Sequence, residues 1–395
     1  MRVLFTTPPG LGHFHPLVPL VEAVRNAGHD VAVATAAQAA PMVERLGFPF
    51  LRAGLDGSDP EVGRLRAAAA RLPGRERAAF MARHVFAGVR ARRMAADLLA
   101  VGAPWQPDLL VRDWSEYGGC VAAEALGLPH AAHQSVATRA GRDADTAAPL
   151  TDLRAAHGLP PDLELRMPER YLALSPFPPT IAGADGRPHP TRHRYRLTPF
   201  DRSGDEGVPD WPLPRPGAPL VYATLGTVDN ARTDVLGAFV EGLRGEPLNL
   251  VVTVGRDGDP ERFGPQPPHV RIERYVPQSL LFPRCALVVS HGGSGTVLGA
   301  LAAGLPLVLT PLAADQPENA ERCAAAGAAR VIEPADLSPT AVREAVRAVL
   351  AGPAYTQAAA RVQAEMAALP PLEHVVGLLE RLAAERQPLR TSAGR

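Results

Sequence analysis

The chain has 395 residues, of which 46% are hydrophobic and 21% charged, with 41 basic against 41 acidic side chains. That is enough for two domains of about 200 residues, each with its own core, and it argues against disorder. The balanced charge argues against electrostatic capture of nucleic acid. All the basic residues are arginine, which with abundant alanine, glycine and proline marks a GC-rich coding bias of the actinobacterial kind. Cys120, Cys285 and Cys323 are odd in number and far apart, so buried thiols in a reducing cytoplasm are expected. The first apolar run, Val3-Leu4-Phe5, is cut by Pro8-Pro9-Gly10, and no later stretch reaches about 18 apolar residues. Neither a signal peptide nor a membrane span is expected.

Residues 3–7 predict a buried strand. A glycine loop comes next, then Leu17, Leu20, Val21 and Val24 at helical spacing, with Gly28 as the stop. A strand resumes over Val31–Ala34, completing a parallel crossover, and the alternation recurs at Leu109–Val111 with a helix over 121–126. Between Arg52 and Pro104 the strands lapse into helices near 61–72 and 75–100, an insertion suited to a binding wall. Proline then dominates from Phe177 to Pro219, and its later part reads as a stiff linker. Strands restart at Leu220–Thr224, Leu248–Val254, Ala286–Ser290 and Leu305–Thr310. Ser338-Pro339 reads as a helix cap and first turn, Pro353 and Pro371 punctuate two more helices, and the last nine residues are expected to fray. The pattern is α/β, two doubly wound parallel domains.

The loop Gly10-Leu11-Gly12-His13-Phe14-His15-Pro16 fails as a dinucleotide fingerprint. Its third glycine position is His15, and the second strand ends in Thr35-Ala36-Ala37 without a carboxylate. A P-loop fails because the chain has no lysine. His13, between a strand and a helix N-terminus, is either a general base kept neutral by the helix dipole or a cap packed in the crevice. Asp113 ends a strand of the same domain, so it is either the carboxylate that orients His13 or the cap of the next helix.

The richest stretch is "ALVVSHGGSGTVLGALAAGLPLVLTPLAADQPENAER". A strand ending at Ser290 runs into His291-Gly292-Gly293-Ser294-Gly295-Thr296 and then a helix, a cradle of N–H groups and hydroxyls for a diphosphate. "GGSGT" misses the hydrolase elbow at Thr296, and no triad follows in a suitable order.

"GHFHP", "PDLLVRD", "YATLGT", "ERYVPQSLLFPRC", "SHGGSGT" and "AADQPENAER", in this order over nearly the whole chain, resemble GT-B glycosyltransferases of family 1, and within them the bacterial enzymes that glycosylate antibiotics. The resemblance implies two Rossmann-like domains facing across a cleft: an acceptor domain over 1–205, a linker over 206–218, a nucleotide-sugar domain over 219–372, and a C-terminal helix and tail over 373–395. It makes His13 the base and Asp113 its partner. His291, Gly293, Ser294, Gly295 and Thr296, with Gly226 and Thr227, would hold the donor diphosphate. Tyr275, Val276 and Gln278 would border the base, and Asp315 and Gln316 the sugar hydroxyls. Phe80, Phe86, Trp114 and the residues around His133-Gln134-Ser135 are candidates for the acceptor wall, or core.

Relatives that use UDP-sugars commonly carry a glutamate where this chain has Gly299. Its absence points to a dTDP-sugar and a deoxysugar, with tight helix packing as the competing explanation of the glycine. No resident cofactor or metal is expected, and the D-x-D strings Asp143-Ala144-Asp145 and Asp257-Gly258-Asp259 read as surface loops. The implied reaction is inverting transfer to a hydroxyl of a small natural-product aglycone. A UDP-glucose-type macrolide-modifying transferase, a sugar-nucleotide epimerase of the same architecture and a non-catalytic auxiliary subunit are the competing readings. The implied partners are a nucleotide sugar and an aglycone, for a cytoplasmic monomer or homodimer.

Overall fold

A computed structural model describes residues 1–137, 142–182, 189–202, 214–226 and 232–391. It divides into two compact units. The first comprises Met1–Pro176, Ala184–Thr198 and Pro370–Arg395, and the second Phe177–Gly183 and Pro199–Leu369. Two exchanges therefore depart from a simple succession of domains. Phe177–Gly183 goes forward to the second unit, and the chain after Leu369 returns to the first.

Unit 1 is built on β1 (Arg2–Thr6), β2 (Asp30–Thr35), β3 (Phe50–Arg52), β4 (Leu109–Asp113), β5 (His130–His133), β6 (Leu172–Ser175) and β7 (Arg192–Arg194). They form one seven-stranded sheet in the order β3-β2-β1-β4-β5-β6-β7, with every pair parallel. Helices cover both faces of such a sheet, so its strands are apolar runs rather than alternating ones. All five residues of β4 are buried, and so are the last four of β1. Leu4, Ala32, Met94, Leu98 and Leu110 make the core on one side. β3, β5, β6 and β7 escape sequence reading because they are three or four residues long and, in "HAAH" or "RHR", lack β-branched side chains.

The inserted helices are Pro60–Ala69, Gly74–Phe80 and Ala91–Trp105, with a wide π-helical stretch, Met81–Arg90, between the last two. The end of the chain does not fray as far as expected. Helix Leu372–Glu385 buries Val375, Val376, Leu379 and Leu382, and beyond it Leu389 is fully buried, its N–H donating to the Tyr171 carbonyl at 2.8 Å.

Unit 2 carries β8 (Leu220–Thr224), β9 (Asn249–Thr253), β10 (Val270–Glu273), β11 (Leu287–Ser290), β12 (Leu307–Leu309) and β13 (Ala329–Val331) in the order β10-β9-β8-β11-β12-β13, again all parallel. Val221, Leu236, Phe239, Leu250, Val289 and Val346 belong to its core. Ser338 caps helix Pro339–Ala351, its Oγ accepting from the Ala341 N–H at 3.2 Å. In both sheets the order reverses beside the first strand, between β1 and β4 and between β8 and β11. Loops at the carboxyl ends of such strands splay apart and leave a crevice, which is where open α/β sheets bind ligands.

One buried charge shapes the first crevice. Arg112, on β4, is wholly buried, and its guanidinium donates to the carbonyls of Asp113, Trp114 and Glu116 at 3.0–3.1 Å and to that of Pro168 at 2.5 Å. It holds the backbone after Asp113 in a tight arc. Arg112→Met should destabilise unit 1 by about 3 kcal/mol, because buried carbonyls would lose charge-assisted donors. A denaturant titration showing less than about 1 kcal/mol of loss would contradict this role.

Candidate active site

His13 and Asp113 come from the two loops that flank the switch point of unit 1. β1 pairs with β4 in a register that sets Thr6 beside Arg112, so the chain leaving each strand emerges at the same edge. His13 Nδ1 lies 3.1 Å from Asp113 Oδ1, with the imidazole partly exposed (23%) and the carboxylate fully buried. The Ser115 N–H donates to Asp113 Oδ1 at 2.8 Å, and the Ser135 hydroxyl makes a short bond to Oδ2. Burial alone would raise the Asp113 carboxyl. The adjacent His13 and the bonds from His13, Ser135 and Ser115 outweigh burial and hold it below the ordinary range, so it is an anion at neutral pH. A carboxylate there fixes the Nδ1–H tautomer and leaves Nε2 as the basic nitrogen.

His13 does not open the long helix, as its sequence position suggested. It sits in a separate single turn, Leu11–Phe14, and the long helix starts only at Val18. A four-residue turn carries little dipole, and the ion-pair partner beside the imidazole is Asp113.

The acceptor candidates separate. Phe86 is partly buried, with its ring centroid 6.3 Å from that of His13, whereas Phe80 turns to His84 at 4.4 Å. Trp114 and His133 are core and present no wall. Trp114 is 6% exposed and packs on Ala132 and Ala173, under the Arg192 guanidinium. His133 lies in an interior strand, fully buried, with Nε2 2.6 Å from the Tyr195 hydroxyl, and burial pulls it down to about 4. Gln134 and Ser135 are buried too. Ser135, offered as wall or core, bonds Asp113.

In unit 2 the equivalent loops carry Gly226 and His291. Gly226 has a φ of +65°, and a Cβ there would lie 2.8 Å from His291 Cε1, while one on Gly293 would lie 2.6 Å from Nε2. Both glycines are therefore required by the imidazole that fills this space. Helix Ser294–Ala302 begins from an extended Gly293 with no side-chain cap, so the N–H groups of its first turn are available to an anion. Thr296 Oγ1 donates to Gln278 Oε1 at 3.1 Å. Ser294 makes a short bond to Asp315 Oδ2, which also accepts from Asn319 Nδ2 at 2.9 Å.

Asn319, missed in the sequence, is fully buried and further donates to the Gly292 carbonyl at 2.9 Å and Ser294 Oγ at 3.0 Å. It ties the glycine loop to Asp315. Gln316 is buried, and its Oε1 accepts from the Leu312 and Ala313 N–H groups at 2.7 and 2.8 Å, so it shapes the loop. Tyr275 bonds the Asp201 carbonyl and carries the Arg256 guanidinium 3.7 Å from its ring centroid. The side chain of Val276 is core, at 3% exposure. Asp201, also missed, anchors this loop through Ser279, accepting from its N–H and Oγ at 2.7 and 2.6 Å. Gly295 is exposed, and Thr227 lies outside the described residues, as does 206–213 of the expected linker.

Gly299 has a packing explanation. A Cβ there would stand 2.8 Å from Phe282 Cε2, so the ring fills the space a side chain would need. Asp143 and Asp145 lie in the first turn of helix Arg142–Ala156, and Asp259 caps the turn Pro260–Phe263. Among the described residues no three His, Cys, Asp or Glu side chains group as metal ligands, and no helix is long and apolar enough to cross a membrane.

Two Rossmann-like units with chemistry gathered at each switch point define the GT-B architecture of glycosyltransferases. Comparison with known proteins agrees. Residues 248–382 match the model of the erythromycin biosynthesis protein CIII-like C-terminal domain. The chain is 34% identical to L-demethylnoviosyl transferase of Streptomyces niveus, covering 98% of this chain and 99% of that one. It is 30% identical to 10-deoxymethynolide desosaminyltransferase of Streptomyces venezuelae, covering 98% of both. The glycosyltransferase VinC, solved in complex with dTDP, superposes with a TM-score of 0.78 at 30% identity over 98% of this chain and 100% of that one. The chain belongs to the natural-product glycosyltransferases of antibiotic biosynthesis.

Proposed function

We propose that this glycosyltransferase moves a deoxysugar from a dTDP-sugar to a hydroxyl of a small natural-product aglycone, with inversion. The observation that carries the reading is the 3.1 Å pair of His13 and the buried, anionic Asp113 at the switch point of unit 1. His13 Nε2 takes the acceptor proton while Asp113 balances the imidazolium, and the freed oxygen attacks the anomeric carbon opposite the leaving diphosphate. The charge that develops on the diphosphate is met by the uncapped N–H groups of helix Ser294–Ala302, with Thr296 and His291 beside them. Asp315, held by Asn319, offers acceptor oxygens to sugar hydroxyls.

The dTDP preference draws support from relatives whose names record dTDP or TDP-sugars. Gly299 does not discriminate between donors, because the packing of Phe282 against it accounts for the glycine by itself. The test incubates the protein with dTDP- and UDP-sugars, with and without an aglycone panel, in EDTA. Nucleotide released only when an acceptor is present, faster with dTDP and undiminished by the chelator, is the expected result. An epimerised donor without acceptor would overturn transfer, and a requirement for added divalent cation would overturn the cation-free account of the leaving group.

Asp113→Asn tests the pair separately. Without the anion the imidazolium loses its stabilising partner, so the acid limb of the kcat/KM profile should move to lower pH, while the rate on the plateau falls about 10²-fold. An unmoved limb would show that His13 and Asp113 do not titrate together.

A further inference from the structure

Ser135 lies two residues beyond β5. That strand pairs with β4 in a register that sets His133 beside Asp113. The pairing runs on past the strand end, where the Trp114 N–H donates to the His133 carbonyl and the Gln134 N–H to the Leu174 carbonyl, both at 2.8 Å. It carries Ser135, itself buried, to the end of β4, where its hydroxyl donates to Asp113 Oδ2 in a short bond. The two carboxylate oxygens therefore have separate partners. Oδ1 meets His13 Nδ1 at 3.1 Å and accepts from the Ser115 N–H at 2.8 Å, whereas Oδ2 has the Ser135 hydroxyl as its one partner among the described residues.

A hydroxyl on Oδ2 acts on His13 through the carboxylate. The positive end of its dipole stabilises the anion at the oxygen remote from the imidazole, and so lowers the proton affinity of the His13–Asp113 pair as a whole. Asp113 is fully buried, so loss of the hydroxyl would leave Oδ2 unsatisfied. Four other elements bring titratable or charged groups near. His133 on β5 is held neutral by burial, which pulls it down to about 4. Arg112 on β4 is spent on backbone carbonyls, and burial pushes the carboxyl of Glu116, in the turn after β4, up. Arg192 from β7 lies over Trp114, and Arg90 from the stretch Met81–Arg90 lies beside Phe86. Among the described residues none of these bonds the Asp113 carboxylate, which leaves Ser135 as the side chain that can adjust it.

Building on the reading of His13 as the base, we propose that Ser135 is a positioning residue of the pair, whose hydroxyl holds Oδ2, leaves Oδ1 to the imidazole and tempers the charge that Asp113 presents to His13. The experiment compares the unaltered full chain with Ser135→Ala and Ser135→Thr, after thermal melting and dTDP affinity have been checked. Two titrations are read: the pH profile of kcat/KM for acceptor-dependent transfer, and the NMR titration of the His13 imidazole in protein carrying isotope-labelled histidine, assigned with His13→Gln. Ser135→Ala should move both to higher pH by about one unit, the direction opposite to Asp113→Asn, because the anion is kept and its competing donor is lost. Its plateau rate should stay within about threefold, since Ser115 still holds Oδ1 and the base itself is intact. Ser135→Thr, which keeps the hydroxyl, should return both titrations toward the unaltered chain. If Ser135→Ala does not fold, Ser135→Cys, close in volume and a weak donor, carries the same test. A merely structural serine would cost rate at every pH and move neither titration. An unmoved or lowered imidazole titration, or one displaced as far in Ser135→Thr as in Ser135→Ala, would overturn the proposal. A His13 imidazole that titrates higher in Ser135→Ala with no limb of the rate profile following it sinks the base reading and leaves the positioning role. A limb that moves in Asp113→Asn but not in Ser135→Ala does the reverse.

Discussion

His13→Ala should slow transfer to a hydroxyl acceptor by about 10²- to 10⁴-fold, the contribution of a positioned general base, and leave the affinity for dTDP unchanged. The separation comes from the two units. His13, Asp113 and Ser135 belong to the first, and the residues proposed to hold the nucleotide to the second. The Asp113 carboxyl is still bonded by Ser115 and Ser135 in the variant, so the site loses its base without losing its loop. The informative comparison is with a more acidic acceptor. A phenol that ionises near neutral pH needs less help, and His13→Ala should cost it less than it costs an alcohol. Loss of the same size for both acceptors would assign His13 to positioning, and an unchanged rate would remove it from the mechanism. Titration of dTDP into the variant decides whether the defect is in chemistry or in donor binding.

The second large effect is expected at His291→Ala. This imidazole fills the space that Gly226 and Gly293 leave open, so its removal both deletes the donor proposed for the diphosphate and loosens the glycine loop that starts helix Ser294–Ala302. Loss of one fixed donor at a developing anion is worth about 10²- to 10³-fold in rate. kcat/KM for the nucleotide sugar should fall by that amount, with weaker dTDP binding and no change in acceptor affinity. If His291→Ala weakened dTDP binding while kcat at saturating donor stayed constant, the residue would serve ground-state binding and not the leaving group.

Much of the fold and of both sites is legible in the primary structure, because the sites lie on strand-to-helix turns whose glycines and polar residues are contiguous. Val3-Leu4-Phe5 before His13, and Leu287–Ser290 before His291, are apolar runs that suit buried parallel strands. Each leads into a loop too rich in chemistry to be a mere turn. What stayed undecided or unseen has a common physical origin. Trp114 and His133 stayed open between wall and core because periodicity cannot say which way a strand-end side chain points, and the fold makes them core. Asp201 lies in no motif, and Asn319 lies in AADQPENAER without being singled out there. Each bonds a loop separated from it in sequence, Asp201 through Ser279 and Asn319 through the Gly292 carbonyl. Leu389 reads as part of a frayed tail because nothing local marks it, and its backbone is tied down by Tyr171, far away along the chain.

Composition, strand-helix alternation and two contiguous motifs thus sufficed for the fold class and for the residue types that could do the chemistry, since these depend on neighbours within a few positions. Pairing was decided elsewhere. The 3.1 Å approach of His13 to Asp113 exists because β1 and β4 are adjacent in the sheet. The reason Gly299 is glycine is Phe282, and that is evident only once the chain has folded. Those are long-range contacts, and their energies come from burial and desolvation, which no local stretch of sequence encodes.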